Sequence, residues 1–202
     1  FHLFEPLEPF VPVYKLGLEW IGQGLKEYTG QEIKRTVYPF ALGEKTGTSN
    51  IAIGKDASTS SMFFDKGKDD ENFPSIQEIP VFTLDSVVEQ QKLPHAQLIK
   101  MDTQGYELNI LKGAEEALKH AEVLVLETWL TRSYGPRTPL FLEIATWLAH
   151  RGFALFDFGG TYRDPSGILI SPDCYFVNRL SPLFNDGNDR NIDLDLIQRM
   201  AQ

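Results

Sequence analysis

The chain has 202 residues, of which 42% are hydrophobic and 23% are charged, so it is long enough to bury a core and too apolar to be disordered. Its net charge of -9 argues against binding to nucleic acid or to an anionic membrane, because both need clustered Lys and Arg. The apolar runs are too short to cross a bilayer, and the single cysteine, Cys174, forms no internal disulfide. We therefore predict a cytoplasmic protein in which this thiol packs in the core.

The first part of the chain predicts a strand, a helix and a polar insertion. The apolar run at residues 1–4 is typical of a buried strand and ends at Glu5. Residues 7–28 are predicted to be helical in part, with their prolines confined to the beginning. Residues 43–80 are rich in Gly, Ser, Thr, Lys and Asp, so we interpret them as a surface insertion with one hairpin. A strand is predicted near residues 81–84.

Three more apolar runs follow, and each of them ends in an acid. The runs occupy residues 98–101, 123–126 and 153–156, and the acids are Asp102, Glu127 and Asp157. Runs of this length without alternation are typical of strands that are covered on both faces, as in a parallel sheet.

Helical patterns separate these strands. Residues 107–121 carry one apolar stripe at helical spacing, although Gly113 in the middle lowers the helix propensity. A second helix is predicted between Thr138, which suits an N-cap, and Gly152, which suits a left-handed end. Alternating strands and helices predict an α/β fold with a doubly wound, mostly parallel sheet. Residues 168–178 are predicted to add one or two strands, and residues 191–202 a short helix.

The acids at the strand ends are candidate ligand-binding residues, because ligands of open α/β sheets bind outside the carboxyl ends of the strands. Glu5 is placed to accept hydrogen bonds from both hydroxyls of a ribose, with a turn acid before Pro6 as the alternative. Asp102 is alternatively a cap of the following helix, and Glu107 alternatively complements the dipole of that helix.

One segment resembles the signature of a known family. Residues 98–107 read LIKMDTQGYE and residues 111–114 read LKGA, a pattern similar to that of the FkbM family of methyltransferases. Further matches occur in the family's order at residues 4–6 (FEP), 41–43 (ALG), 83–85 (TLD) and 125–127 (VLE). The resemblance covers about residues 1–182, which we predict to form one domain. Residues 183–202 are predicted to be a C-terminal extension.

The resemblance implies a Rossmann-like class I fold and transfer of a methyl group from S-adenosylmethionine to a hydroxyl of a small metabolite, sugar or lipid-like acceptor. By this resemblance Glu5 holds the ribose of the cofactor, and Phe40 and Ala41 border the adenine. Asp102 and Gln104 lie beside the methionine end and the methyl group.

The same resemblance places Glu127 close to the acceptor. A carboxylate can take the proton of the acceptor hydroxyl as its oxygen attacks, and either Asp102 or Glu127 suits this role. The acceptor itself is expected to contact the insertion, the turn at residues 134–136 and Trp129. No metal is predicted, because these two acids lack a third ligand at a convincing spacing.

The chain also departs from the family pattern. A complete member begins with a strand and a glycine-rich loop before the position of Glu5, and this chain contains neither of them. We expect the parent protein to supply both. A catalytically silent methyltransferase-like binding module is the alternative. A nucleotide-dependent oxidoreductase, a third interpretation, shares Glu5 but leaves the motif at residues 102–114 unexplained.

Overall fold

The computed structural model describes residues 1–63 and 71–184. The helix predicted over residues 191–202 lies outside these ranges, as does most of the charged part of the insertion. Within the described residues, no helix combines the length and the apolar character that a membrane span requires.

The described residues form strands and helices that alternate along most of the chain. The strands are β1 (His2–Phe4), β2 (Thr36–Tyr38), β3 (Ala41–Leu42), β4 (Gly47–Ile53), β5 (Ser75–Phe82), β6 (Leu98–Met101), β7 (Val123–Glu127), β8 (Phe153–Arg163) and β9 (Leu169–Asn178). The α-helices are α1 (Val11–Thr29), α2 (Leu84–Gln91), α3 (Glu107–Lys112), α4 (Glu115–Leu118) and α5 (Phe141–Ala149). Short 3-10 helices occupy Glu8–Phe10, Ala57–Thr59 and Pro182–Phe184.

The first half of the chain forms two small sheets. Strands β1 and β2 pair in parallel, and β5 pairs in parallel with β3 and antiparallel with β4. The residues interpreted as a polar insertion therefore contain a long hairpin, β4 with β5. Its apolar residues Ile51, Ile79 and Val81 join Leu7 and Ala41 in a small core, so the hairpin is anchored to the domain by buried surface. Strand β5 is longer than predicted and ends at Phe82.

The second half forms a four-stranded sheet in the order β6-β7-β9-β8. Strands β6 and β7 are parallel, whereas β9 is antiparallel to both of its neighbours. The expected mostly parallel, doubly wound sheet is therefore not confirmed, because the sheets are mixed. The physical reason is the short turn between β8 and β9, since a parallel crossover needs a dozen residues or more. Strand β8 also continues through Asp157, so this acid does not end a strand.

The helix predicted over residues 107–121 is divided into α3 and α4 at Gly113. The Asp85 carboxylate, from the beginning of α2, accepts hydrogen bonds from the backbone N–H groups of Glu116 (3.0 Å) and Ala117 (2.8 Å). Asp85 thereby caps α4, although it belongs to a different helix, α2. A Cβ on Gly113 would lie 2.0 Å from the carbonyl oxygen of Gly43, so the backbone segments at residues 43 and 113 approach closely where the helix is interrupted.

The second predicted helix is confirmed as α5, but it begins later than predicted. Thr138 is not its N-cap, because this side chain is buried and its hydroxyl accepts a hydrogen bond from the backbone N–H of Tyr134 (3.2 Å). The backbone N–H of Leu140 instead donates to the carboxylate of Glu143 (2.6 Å). The left-handed Gly152, with φ of 84°, ends the helix as predicted.

Helices α3, α4 and α5 pack against one face of the four-stranded sheet. Leu124, Leu126 and Phe176 point into this interface and are almost completely buried. Cys174 lies in the same core with no exposed surface, so the prediction of a packed thiol is confirmed. The opposite face of the sheet carries the polar residues of the candidate site.

A first prediction concerns Gly113. Replacing it with alanine should destabilise the protein by about 1–3 kcal/mol, because the new methyl group would collide with the Gly43 carbonyl. The matched control is Gly17→Ala in α1, where no atom lies within 4 Å of the added Cβ. That change should stabilise by about 1 kcal/mol through helix propensity. Urea unfolding measures both, and equal effects of the two substitutions would contradict the close approach.

Candidate functional site

Strand register brings three acids together at one edge of the four-stranded sheet. Asp102 directly follows β6, and Glu127 is the last residue of the neighbouring parallel strand β7. Glu127 pairs across the next ladder with Asp173 of β9. Cross-strand partners lie on the same face of a sheet, so like charges stand side by side here, which costs stability. An arrangement that packing does not favour points to a ligand-binding role for this edge.

Asp102 has both of its carboxylate oxygens engaged. The Lys100 ammonium lies 3.1 Å from Oδ2, and the side-chain amide of Gln104 donates to Oδ1 at 3.0 Å. The carboxylate is exposed at the edge of the sheet, next to Glu127 of the neighbouring strand. The orientation of the Asp102 carboxylate is therefore set by two side chains. It does not cap the following helix, because its hydrogen bonds go to Lys100 and Gln104 and the N-cap of α3 is Tyr106.

The loop after β6 has an unusual backbone at Gln104. This residue has a φ of 54° and the following Gly105 a φ of 94°, so two successive residues adopt the left-handed region. A non-glycine residue in this region is costly unless its surroundings hold it. The Ser61 hydroxyl donates to the Gln104 carbonyl (2.8 Å), and the Tyr134 hydroxyl donates to its side-chain oxygen.

The side chain of Glu107 holds the same loop through hydrogen bonds. Its side chain is completely buried, and its Oε1 accepts from the Thr103 N–H (2.8 Å), the Thr103 hydroxyl (2.9 Å) and the Gly105 N–H (3.4 Å). Burial raises the pKa of Glu107, and these hydrogen bonds oppose the rise. Its Oε2 has no hydrogen-bond partner among the described residues. The residue at the first position of α3 thus shapes the loop in addition to lying at the positive end of the helix.

Glu127 has a strongly perturbed ionisation. Burial, together with the negative charges of Asp102 and Glu107, raises its pKa to about 7. The Ser171 hydroxyl donates to Oε1 at 3.2 Å, whereas Oε2 is buried without a partner in the described part of the chain. A carboxylate with this pKa exchanges protons near neutral pH, which is the property of a general base or acid.

The residues predicted to contact a ribose and an adenine lie in the first half of the fold. Glu5 follows β1, and its Oε1 accepts from the Leu7 N–H (2.8 Å), so the turn-acid arrangement is present. Burial also raises the pKa of Glu5. The half-buried Phe40 ring lies 4.6 Å from the ring of Phe82, and Ala41 is buried in β3.

Tyr14 of α1 connects the two halves of the site. Burial raises the pKa of its hydroxyl, and the negative charges of Glu5 and Asp102 raise it further. The Tyr14 hydroxyl is therefore within electrostatic range of both carboxylates, on a residue that is 41% exposed. Phe40, by contrast, is placed in a separate aromatic group with Phe4 and Tyr38.

Several residues of the site escaped sequence reasoning. Asp173 directly precedes the apolar run CYFV, so an acid beside a predicted strand is a signal that could have found it. The predicted sites include only acids that follow strands, and Asp173 comes before one. Tyr14 has no signal in the sequence. Ser61 and Tyr134 lie in the insertion and in the turn that were expected to contact the acceptor, but no local pattern predicts their hydrogen bonds to Gln104. Among the described residues, no group of three or more His, Cys, Asp and Glu is arranged to hold a metal, and metal independence stays a prediction.

Comparison with known proteins identifies the family. The model of the Methyltransferase FkbM domain matches residues 1–155. The chain belongs to the FkbM methyltransferase family. The predicted family is thereby confirmed.

One solved structure is similar to this FkbM chain, the crystal structure of Methyltransferase FkbM from Methylobacillus flagellatus KT. Its sequence is 18% identical, the TM-score is 0.45, and the match covers 87% of this chain. The chain spans only 36% of the length of that structure. No curated protein matches the chain.

The pKa of Glu127 generates a prediction about stability. Because the folded state binds this proton more tightly than the unfolded state, stability should fall as pH rises from about 4.5 to about 7 and then level off. Glu127→Gln should remove this loss, a difference of about 1–2 kcal/mol after allowance for partial exposure. Urea midpoints between pH 5 and pH 8 measure it, with the exposed Glu78→Gln as the matched control. Parallel pH profiles for wild type and Glu127→Gln would refute the assignment.

Proposed function

We propose that this FkbM-family protein is an S-adenosylmethionine-dependent O-methyltransferase that acts on a hydroxyl of a small metabolite, sugar or lipid-like acceptor. The observation that carries the proposal is the half-buried carboxylate of Glu127. It ends the strand beside the one that leads into the motif loop of residues 102–105, and its pKa is raised to about 7. The cytoplasmic location is part of the same proposal.

The residues of the site fit the groups of this cofactor. Glu5 uses one oxygen to hold Leu7, which leaves Oε2 for a ribose hydroxyl. Gln104 donates to Asp102 with one amide hydrogen and keeps the second for a ligand. The Asp102 oxygens each accept one hydrogen bond and retain lone pairs that suit the ammonium group of a methionine. Phe40 offers a half-buried aromatic surface for an adenine.

The cofactor supplies, when bound, a methyl group on a positively charged sulfur that leaves as a neutral thioether. The protein has to align the acceptor oxygen with that methyl group and to exclude water. The acceptor hydroxyl loses its proton as the new carbon–oxygen bond forms, and a nearby carboxylate lowers the barrier by accepting this proton. In this proposal the carboxylate is Glu127.

Two contacts favour Glu127 over Asp102 as the base. Both oxygens of the Asp102 carboxylate are already engaged, one by the Lys100 ammonium and the other by the Gln104 amide. Glu127 receives one hydrogen bond, from Ser171, and has an unpaired buried oxygen. We therefore propose that Asp102 and Gln104 bind the cofactor and that Glu127 accepts the proton of the acceptor hydroxyl.

Binding of S-adenosylhomocysteine to the full-length protein tests the cofactor assignment without knowledge of the acceptor. Calorimetric titration should show binding, and Glu5→Gln should weaken it about tenfold to a hundredfold, because a charged hydrogen bond to the ribose is lost. Glu8→Gln, three residues away on an exposed surface, is the matched control. Absence of binding by the wild type would favour the catalytically silent module.

The role of Glu127 is tested by turnover. Glu127→Gln should lower kcat by about 10²- to 10⁴-fold, while binding of S-adenosylhomocysteine stays within a few-fold of wild type. In the wild type the rate should rise tenfold per pH unit below pH 7 and level off above it, because the base must be deprotonated. Release of S-adenosylhomocysteine with any hydroxyl acceptor found active measures both. Full turnover in the variant would exclude Glu127 as the base.

A further inference from the structure

Gln104 is the residue at which three segments of the chain meet. Its carbonyl accepts from the hydroxyl of Ser61 in the insertion (2.8 Å), and its side-chain oxygen accepts from the hydroxyl of Tyr134 in the segment after β7. Its amide nitrogen donates to Asp102 (3.0 Å). The backbone of Gln104 is thus held by Ser61 of the insertion, whereas its side chain is held by Tyr134 and Asp102.

Tyr134 is itself held rigidly. The residue is 6% exposed, and its ring packs edge-on against Trp129, with ring centroids 5.0 Å apart. Its ring also contacts Phe73 edge-on at 6.4 Å, and its backbone N–H donates to the buried hydroxyl of Thr138. Burial raises the pKa of the Tyr134 hydroxyl, followed by the negative charges of Glu127 and Glu107. The hydroxyl therefore stays protonated and points its hydrogen in one direction.

This contact decides the orientation of an amide that has two chemically different ends. The Gln104 side chain has an oxygen that only accepts and a nitrogen that only donates. Because Tyr134 donates to the oxygen, the nitrogen must face Asp102. Without the hydroxyl only the Asp102 carboxylate would hold the amide, so the side chain would be free to leave this orientation.

We propose that Tyr134 is a positioning residue that sets the amide orientation of Gln104 and thereby the affinity of the site for the methionine end of the cofactor. The proposal rests on the proposed function, which assigns Asp102 and Gln104 to the cofactor. Tyr134 lies in the segment after β7, whereas Gln104 and Asp102 follow β6, so the contact ties the geometry of the cofactor loop to a segment that the cofactor itself does not need to touch.

The test is a double-mutant cycle on the affinity of the full-length protein for S-adenosylhomocysteine. Tyr134→Phe keeps the ring and its packing and removes only the hydroxyl, so the affinity should fall about tenfold. Gln104→Met, which removes the amide, should lower the affinity at least as much. The double variant should bind no more weakly than Gln104→Met alone, because Tyr134 acts through that amide.

Two controls separate positioning from a merely structural role. The unfolding midpoint of ligand-free Tyr134→Phe should stay close to that of the wild type, and Tyr28→Phe, at a residue that is 91% exposed, should leave the affinity unchanged. Gln104→Glu provides a second variant that leaves the Tyr134 ring intact. A glutamate still accepts from Tyr134 but does not donate to Asp102, so the same loss of affinity is expected.

The outcomes distinguish the two proposals. Equal affinities of the wild type and Tyr134→Phe, or additive losses in the double variant, would overturn the role of Tyr134 and leave the cofactor site in place. Wild-type affinity in Gln104→Glu would overturn it as well. A wild-type protein that does not bind S-adenosylhomocysteine at all would overturn the proposed function, and the role of Tyr134 with it.

Discussion

The register of β7 is the constraint on which the rest of the structure depends. On one face of this strand Leu124 and Leu126 are completely buried beneath the helices, and on the other face Glu127 stands beside Asp173. A slip of one residue would move both leucines out of the interface with the helices and the glutamate into it, so the apolar face strongly fixes the register. The acids at the sheet edge are therefore brought together by the burial of leucines on the opposite face, against the repulsion between the acids themselves.

Carboxylates perform two different tasks in this fold. Asp85 and Glu107 accept hydrogen bonds from backbone N–H groups, and in this way they cap α4 and shape the loop after β6. Such bonds satisfy backbone donors that would otherwise lack partners. Glu127 makes few hydrogen bonds for its burial, and its pKa is raised accordingly. The same residue type is thus structural where backbone donors surround it, and it is where they do not that we propose a catalytic role.

The loop after β6 combines local and long-range interactions. Glu107 lies only four residues from Thr103, so its bonds to the loop arise within the motif itself. Ser61 and Tyr134 reach Gln104 from 43 and 30 residues away. Glu107 and Ser61 hold the backbone of the loop, whereas Tyr134 holds the side chain of Gln104, so a short motif alone does not define the geometry of the site.

The sequence by itself determined the family, the α/β class, helix α5 and the positions of the strand-end acids Glu5, Asp102 and Glu127. These features are encoded locally, since periodicity, caps and the motif at residues 98–114 involve neighbours in the chain. Only the tertiary structure decided that the sheet is mixed, that α3 and α4 separate at Gly113, that Asp173 pairs with Glu127, and that the Tyr134 hydroxyl bonds to Gln104. The physical reason is that strand pairing, the close approach of Gly43 and side-chain bonds between distant segments depend on residues far apart in sequence, whose contacts no local pattern records.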